Sequence, residues 1–323
     1  MSAAVPVFMP VYEELIHQAA QAKVVHNDDT NMVVLELLKE NQQREESGEA
    51  LERTGVFTTG IVAVKDSIRI ALFFTGRAHA GENFARVIEK REEELTPVIQ
   101  MCDALSRNVS ADFETILCNC IAHARRLYVD VNEDFPDECR FVLETLGKVF
   151  KNDATARQQG MTDGQRLEFH RRESKRPMAS LRQWMFKQFK ERRVEPNSGL
   201  GQAIKYMRKH WRKLTRFLFV PGAPLDNNAV ERALKKAITH RKNSLFYKTE
   251  NGAQVGDLYM SLIVTCQLAG ANPFDYLTET QRNAAAVAKD PASWMPWNYR
   301  AKLDPVNGTG VDPPTAEKSG NPR

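Results

Sequence analysis

Three acidic positions in this chain have the types and spacing for metal-assisted phosphate chemistry. Asp28 or Asp29 follows a first short apolar run, Asp103 ends another, and Glu231 lies near the start of a late basic helix. Cutting or joining a phosphodiester needs an activated oxygen nucleophile and a stabilised leaving oxygen, and two Mg²⁺ ions about 3.5–4 Å apart supply both. Mg²⁺ takes hard oxygen ligands and keeps several waters, so a few carboxylates suffice to hold the pair. Each acid also has a plainer reading. Asp103 suits a helix cap, Asp28-Asp29 suits a solvated turn, and Glu231, four residues before Lys235, suits an exposed helical ion pair. Asp226 reads as the cap of the helix that carries Glu231; nothing in the residues assigns Asn227 and Asn228 between orienting ligands and contacting DNA.

Two further groups of residues bear on chemistry. Cys118-Asn119-Cys120-Ile121-Ala122-His123 places ligand-type residues close together, but a structural zinc site wants a fourth ligand and usually a second knuckle, and neither is evident. Cys120 therefore reads as a buried strand residue, with His123, Arg125 and Arg126 turned toward an active site or DNA phosphates. The second group is basic: residues 186–216 carry ten Lys or Arg against two acids, while residues 1–60 carry ten acids against four bases. Lys205, Arg208, Lys209, Arg212 and Lys213, with Tyr206 and Trp211 among them, suit a face that tracks a nucleic-acid backbone. A solvated helix face is the ordinary alternative. Arg232, Lys235, Lys236, Arg241 and Lys242 flank Glu231 and are the stronger candidates for DNA contact.

The elements that would position these residues follow from periodicity. Residues 11–22 read as a helix after Pro10, Lys23–His26 as a strand, and the polar stretch 40–54 as a hairpin loop or excursion. Residues 55–65 and 67–75 are rich in β-branched and aromatic residues and read as adjacent antiparallel strands. A helix over 81–94, short strands over 97–102 and 114–120, and a helix over 121–133 complete a mixed α/β sheet. From 134 to about 220 the strand signal disappears. Helices are predicted over 137–151, 178–193 and 202–218, the last from the 3,4 spacing of Ile204, Met207, Trp211, Leu214 and Leu218. Further helices are predicted over 226–240 and 252–270. Beyond about 285 the chain reads as an extended or disordered tail, with the last fifteen or so residues disordered.

Composition sets outer limits. The chain has 323 residues, 42% hydrophobic residues, a formal net charge of +4 and five cysteines. An odd cysteine count with no regular framework argues against a disulfide-stapled secreted scaffold. No apolar run reaches the roughly 18–20 residues that span a bilayer, and the N-terminus lacks a basic n-region. The expectation is a cytoplasmic, nucleoid-associated protein with no membrane partner.

The wording at the acidic positions resembles transposases of the insertion-sequence 66 family. The matching pieces are Asn27-Asp28-Asp29-Thr30, Gln100 to Leu105, Cys120-Ile121-Ala122-His123-Ala124-Arg125-Arg126, Leu225 to Leu234, Arg241 to Phe246, and Leu262 to Cys266 followed by Asn272-Pro273 and Tyr276-Leu277. The Asp-Asn-Asn…Glu-Arg-Ala block is the most specific. The resemblance implies an RNase H-like core of the Asp-Asp-Glu type, with Asp28, Asp103 and Glu231 as catalytic metal ligands for two Mg²⁺ ions, replaceable by Mn²⁺. Asp28 is preferred to Asp29 because the family pattern places the ligand first, and one residue of register on a strand reverses the side chain.

Asp103 and Glu231 are 128 residues apart, so the helical stretch reads as a large all-helical insertion before the last catalytic helix. The implied organisation is a first core part at 1–133, the insertion at 134–221, C-terminal core helices at 222–285 and a tail at 286–323. The implied partners are transposon-end and target DNA, further copies of the chain on DNA, and accessory proteins of the same element. Relatives look longer at the N-terminus, which leaves a truncated, non-catalytic DNA-binding or assembly subunit, or a metal-dependent nuclease, as alternatives to an independent transposase.

Overall fold

The computed structural model describes residues 5–49, 53–110 and 112–303. Its centre is one five-stranded mixed sheet made of β1 (Val24–Asn31), β2 (Phe57–Lys65), β3 (Ile68–Gly76), β4 (Ile99–Cys102) and β5 (Ile116–Asn119), in the order β3-β2-β1-β4-β5. β2 lies antiparallel to both β1 and β3, while β4 is parallel to β1 and β5 is parallel to β4. β1 runs six residues beyond the apolar Val24–Val25 start, so Asp28 and Asp29 are strand residues paired with Gly60 and Thr59. They do not form the turn that the Asn-Asp-Asp-Thr composition suggests.

Both sheet faces are covered. On one face α1 (Val5–Ala20), which starts ahead of Pro10, packs with the central strands. The first half of the chain also holds α2 (Leu35–Glu46) and α3 (Ala80–Ile88). α2 corrects the loop expected over 40–54. It buries only Leu37 and Asn41, too little apolar surface to show a helical period. The opposite face carries a helical run: α4 (Ile121–Asp130), α5 (Pro136–Gln158), α6 (Asp163–Glu173), α7 (Lys175–Lys190) and α8 (Gly199–Leu214). α8 stops at Leu214 and a 3₁₀ turn follows at Arg216–Leu218, where the pattern predicts one continuous helix. This run shares a single hydrophobic core with Val24, Ile99, Met101 and Cys118 of the sheet.

α9 (Asn228–Ser244) crosses the same face over β1 and β2, burying Val230, Ala233, Leu234 and Ala237 against Val62, Ala71 and Phe73. Gly60 permits this approach, because a Cβ there would sit 2.8 Å from the Leu234 side chain. α10 (Glu250–Leu268) follows, then α11 (Pro273–Arg282), α12 (Ala284–Lys289) and α13 (Arg300–Leu303). The segment 286–303, expected to be extended, instead folds back onto α1 and buries Trp294, Met295 and Tyr299. The disorder expected of the last fifteen residues lies outside the described residues. Among the described residues, no helix is long and apolar enough to cross a membrane.

α10 solves the problem of the edge strand β3. An edge exposes every second backbone N–H, and here three helix side chains take them. Thr265 Oγ1 accepts from Ala71 N–H, Ser261 Oγ from Phe73 N–H, and Asp257 Oδ2 from Thr75 N–H. The geometry is a match of rises: four helical residues advance about 6 Å, and two strand residues about 6.8 Å. Burial pushes the Asp257 carboxyl up to about 7, against the lowering pull of its two Thr75 hydrogen bonds.

A carboxyl raised in the folded state stabilises below its unfolded pKa near 4, and that contribution disappears as pH rises through about 7. Asp257→Asn is therefore expected to flatten the stability profile between pH 4 and 8. It should leave the chain at least as stable as the parent at pH 8, a swing on the order of a few kcal/mol at about 1.4 kcal/mol per pKa unit. Urea denaturation across that pH range measures it, and a variant that keeps the parental slope counts against the assignment.

Candidate metal and phosphate site

β1 sorts its two aspartates by face. Asp28 shares a side with His26 and points toward the α9 layer, directly across from the Gly60 gap. Asp29 points to the other side, where its carboxylate is almost wholly buried between His79 Nδ1 (3.1 Å) and Arg107 (3.2 Å). His79 is held at the start of α3 by a reciprocal capping arrangement with Glu82, and Arg107 also lies over the Phe57 ring. Asp29 is thus committed to tying the 106–108 turn to β1 and α3.

Asp28 and Asp103 come together. Asn108 Nδ2 donates to Asp103 Oδ1 at 2.6 Å and to Asp28 Oδ1 at 3.2 Å, so one amide bridges the two carboxylates. Asn108 is fixed by its own backbone carbonyl, which accepts from Asn27 Nδ2 (2.7 Å) and Gln100 Nε2 (3.0 Å). Its side-chain Oδ1 is buried and unpaired. Burial, then the charge of Asp103, pushes the Asp28 carboxyl up to about 7. Two carboxylates that resist joint ionisation, beside an orphaned amide oxygen, form an all-oxygen set of the kind a hard divalent cation relieves.

Glu231 lies in the first turn of α9 on the same sheet face as Asp28. Its Oε1 is 3.9 Å from His123 Nδ1, and ligand atoms of Cys120, His123 and Glu231 all lie within 4.8 Å of one another. The fold therefore brings Asp28 to Asp103, while the side chain of Glu231 is turned to the α4 residues. Cys120 is the residue before α4, immediately after β5, and not part of the strand as its pattern suggests. Burial pushes its thiol up to about 11.

What fixes the start of α9 is Asn227, fully buried. Its Oδ1 takes the His26 Nδ1 proton (3.1 Å), its Nδ2 donates to the Asn27 carbonyl (3.2 Å), and its backbone N–H donates to Cys120 Sγ (3.3 Å). Burial pulls His26 down to about 4, so the ring is neutral, and because an amide oxygen only accepts, its proton sits on Nδ1. Asp226 supports the turn by accepting the Asn228 N–H at 3.1 Å, one position ahead of the residue that caps the helix. The type of Asn227 is visible in the chain, but a polar residue buried at a contact across 200 positions leaves no periodic signal.

The basic residues fall around this site in two groups. Arg125, Arg126, Lys205, Lys209, Arg212, Lys213, Arg232, Lys235, Lys236 and Lys242 are exposed. Arg208 stacks over Phe186 at 4.3 Å, and Arg241 is bound to the Asn31 carbonyl and Thr30 at the end of β1. Tyr206 of α8 lies near Asp103. Its phenol is pushed up to about 12 by burial and then by that charge, which places the basic helix beside the acidic pair.

A protein-family model described as "Transposase IS66 family" matches residues 1–255. Two proteins of Sinorhizobium fredii (strain NBRC 101917 / NGR234) are similar. "Uncharacterized protein y4jD" is 29% identical over 195 residues, covering 57% of this chain and 36% of its own length. "Uncharacterized protein y4qI" is 29% identical over 201 residues, covering 61% and 36%. The chain spans about a third of the length of these curated relatives. No solved structure matches.

Asn227→Ala leaves a buried donor on His26 and a buried carbonyl on Asn27 unpaired, each worth roughly 1–3 kcal/mol. The expected loss is about 2–4 kcal/mol in urea denaturation. A loss within experimental error of zero would remove Asn227 from its place as the anchor of α9.

Proposed function

The chain belongs to the IS66 family of transposases, and from that premise we propose that it cleaves and transfers DNA strands at insertion-sequence ends on a core of RNase H-like type. The strand order β3-β2-β1-β4-β5, with three antiparallel strands followed by two parallel ones, supports that core. The helices from α5 to α8, between Asp103 and Glu231, serve as the insertion. Asp28, Asp103 and Glu231 hold two Mg²⁺ ions, for which Mn²⁺ can substitute.

The observation that carries the reading is the Asp28–Asn108–Asp103 bridge on the sheet face crossed by α9. Two Mg²⁺ ions held by these carboxylates would supply activation of the attacking oxygen and stabilisation of the leaving one. Asp28 and Asp103 accept the ions once their carboxyls are ionised, and Asn108 gives up the bridge that its Nδ2 makes between them. Glu231 needs only to turn from His123 toward the pair. Asn227 holds the backbone of α9 where that rotation is productive. The exposed bases of α8 and α9 bind phosphates, which positions a duplex without reading its sequence. Oligomerisation on DNA and accessory proteins of the same element complete the proposed assembly, since the chain spans about a third of its curated relatives. The turn of Glu231 toward His123 favours one second reading, a DNA-binding subunit whose acidic pair is unused.

The test is Mg²⁺-dependent cleavage and joining of DNA bearing the element's ends. Asp103→Asn and Glu231→Gln are each expected to abolish both steps while non-specific DNA binding and the urea midpoint stay near parental. Full cleavage by either variant sinks the assignment, and cleavage without joined product identifies a nuclease. The two β1 aspartates separate in a second measurement. Asp28→Asn should remove Mn²⁺-induced thermal stabilisation, whereas Asp29→Asn should lower the melting temperature of the metal-free chain and retain the Mn²⁺ response.

A further inference from the structure

The Cys120–His123–Glu231 cluster is chemically unlike the acidic pair beside it. It offers one sulfur, one nitrogen and one carboxylate oxygen, with all ligand atoms within 4.8 Å of one another. A hard ion such as Mg²⁺ has little use for thiol or imidazole, whereas zinc takes this mixture in tetrahedral sites with a fourth position left to water or substrate. Zinc bonds of about 2.0–2.3 Å set tetrahedral donors roughly 3.3–3.8 Å apart. His123 Nδ1 and Glu231 Oε1 stand at 3.9 Å.

Two observations point to a ligand here. His123 Nδ1 is a buried nitrogen with no hydrogen-bond partner, aimed at Glu231 from beyond hydrogen-bond length. Cys120 Sγ accepts the backbone N–H of Asn227 at 3.3 Å, which fixes the sulfur at the head of α4 beside the first turn of α9. The spacing of the motif does the rest: Cys120 precedes α4 and His123 is its third residue, so both side chains project from the helix's first turn. The same Asn227 contact delivers the first turn of α9, and with it Glu231. A thiolate, a carboxylate and a neutral imidazole give a net charge of zero around a divalent ion, which suits a partly buried site.

We propose that Cys120, His123 and Glu231 bind one zinc-class ion at a site separate from the Asp28–Asp103 pair. The Cys120 proton is released as the metal–sulfur bond forms. Occupancy holds Glu231 on the α4 side, so that zinc antagonises the Mg²⁺ reaction. Only this last consequence rests on the functional reading above; the binding itself does not.

The experiment titrates untagged, chelator-treated chain with Co²⁺ under reducing, oxygen-free conditions. The expected result is one equivalent bound, with a sulfur-to-cobalt charge-transfer band in the near ultraviolet that Zn²⁺ abolishes and excess Mg²⁺ does not. Cys120→Ser should remove the band, while Cys266→Ser, buried in α10 away from the site, should retain it. His123→Ala and Glu231→Gln should each weaken binding by more than the roughly 10–100-fold typical of losing an outer-shell partner. Both residues are partly exposed, so these variants decide the matter if Cys120→Ser fails to fold. No band in the parent chain overturns the proposal, as does a band that survives Cys120→Ser, or unchanged affinity in both other variants. A cobalt band without DNA cleavage leaves this site standing and removes the transposase chemistry; cleavage without a band does the reverse.

Discussion

The arrangement depends on one buried amide. Asn227 touches β1 through Asn27 and His26, and the entrance of α4 through Cys120. Without it the N-terminus of α9 would be placed only by Val230, Leu234 and their neighbours. Apolar packing of that kind tolerates sliding, because it is non-directional. Three directional bonds inside a dry contact do not. A hydrogen-bonded clamp therefore converts a helix that merely covers the sheet into one whose first turn has a fixed place relative to Asp28.

That fixed place matters because the acidic pair is held against its own repulsion. The sheet brings Asp28 and the end of β4 together through parallel pairing, and the Asn108 amide bridges them where a cation would otherwise be needed. Burial first, and then that repulsion, raises the Asp28 carboxyl to about 7. Asp29, one residue away, faces the opposite layer and has the Arg107 guanidinium and the His79 ring as partners instead. Two adjacent aspartates thus have opposite settings: one is paired with neighbours that strengthen the fold, and the other lies beside a second carboxylate. The strand period of two is the whole cause of the difference.

Much of this was legible in the residues, for physical reasons that vary by element. The strands β2 and β3 announce themselves because half-buried strands need β-branched and aromatic side chains at period two. The family wording singled out Asp28, Asp103 and Glu231, of which the sheet brings Asp28 and Asp103 together while Glu231 turns to α4. What stayed hidden was polar and non-local. α2 is a helix that buries almost nothing, so it lacks the periodicity that betrays helices. The Asp257, Ser261 and Thr265 ladder has helical spacing of four, but its meaning depends on an edge strand about 190 positions earlier. Cys120 has the hydrophobicity of a strand residue and sits one position past the strand, where its sulfur is an acceptor. Each miss involves a side chain whose role is set by a partner far away in the chain.

Glu231 is where these features meet, because a single carboxylate stands between ligand sets of different hardness. On one side are Asp28, Asp103 and the unpaired oxygen of Asn108, all oxygen donors; on the other are the sulfur of Cys120 and the unpaired nitrogen of His123. Coordination preference then decides direction. An oxygen-seeking ion gains by drawing Glu231 inward, and a thiophilic ion gains by keeping it outward. Asn227 anchors the backbone of α9, while the Glu231 side chain has three rotatable bonds of its own. A side-chain rotation is fast and small compared with shifting a packed helix. On the proposed reading, the identity of the bound metal, rather than a rearrangement of the fold, would determine whether the acidic pair acquires its third carboxylate.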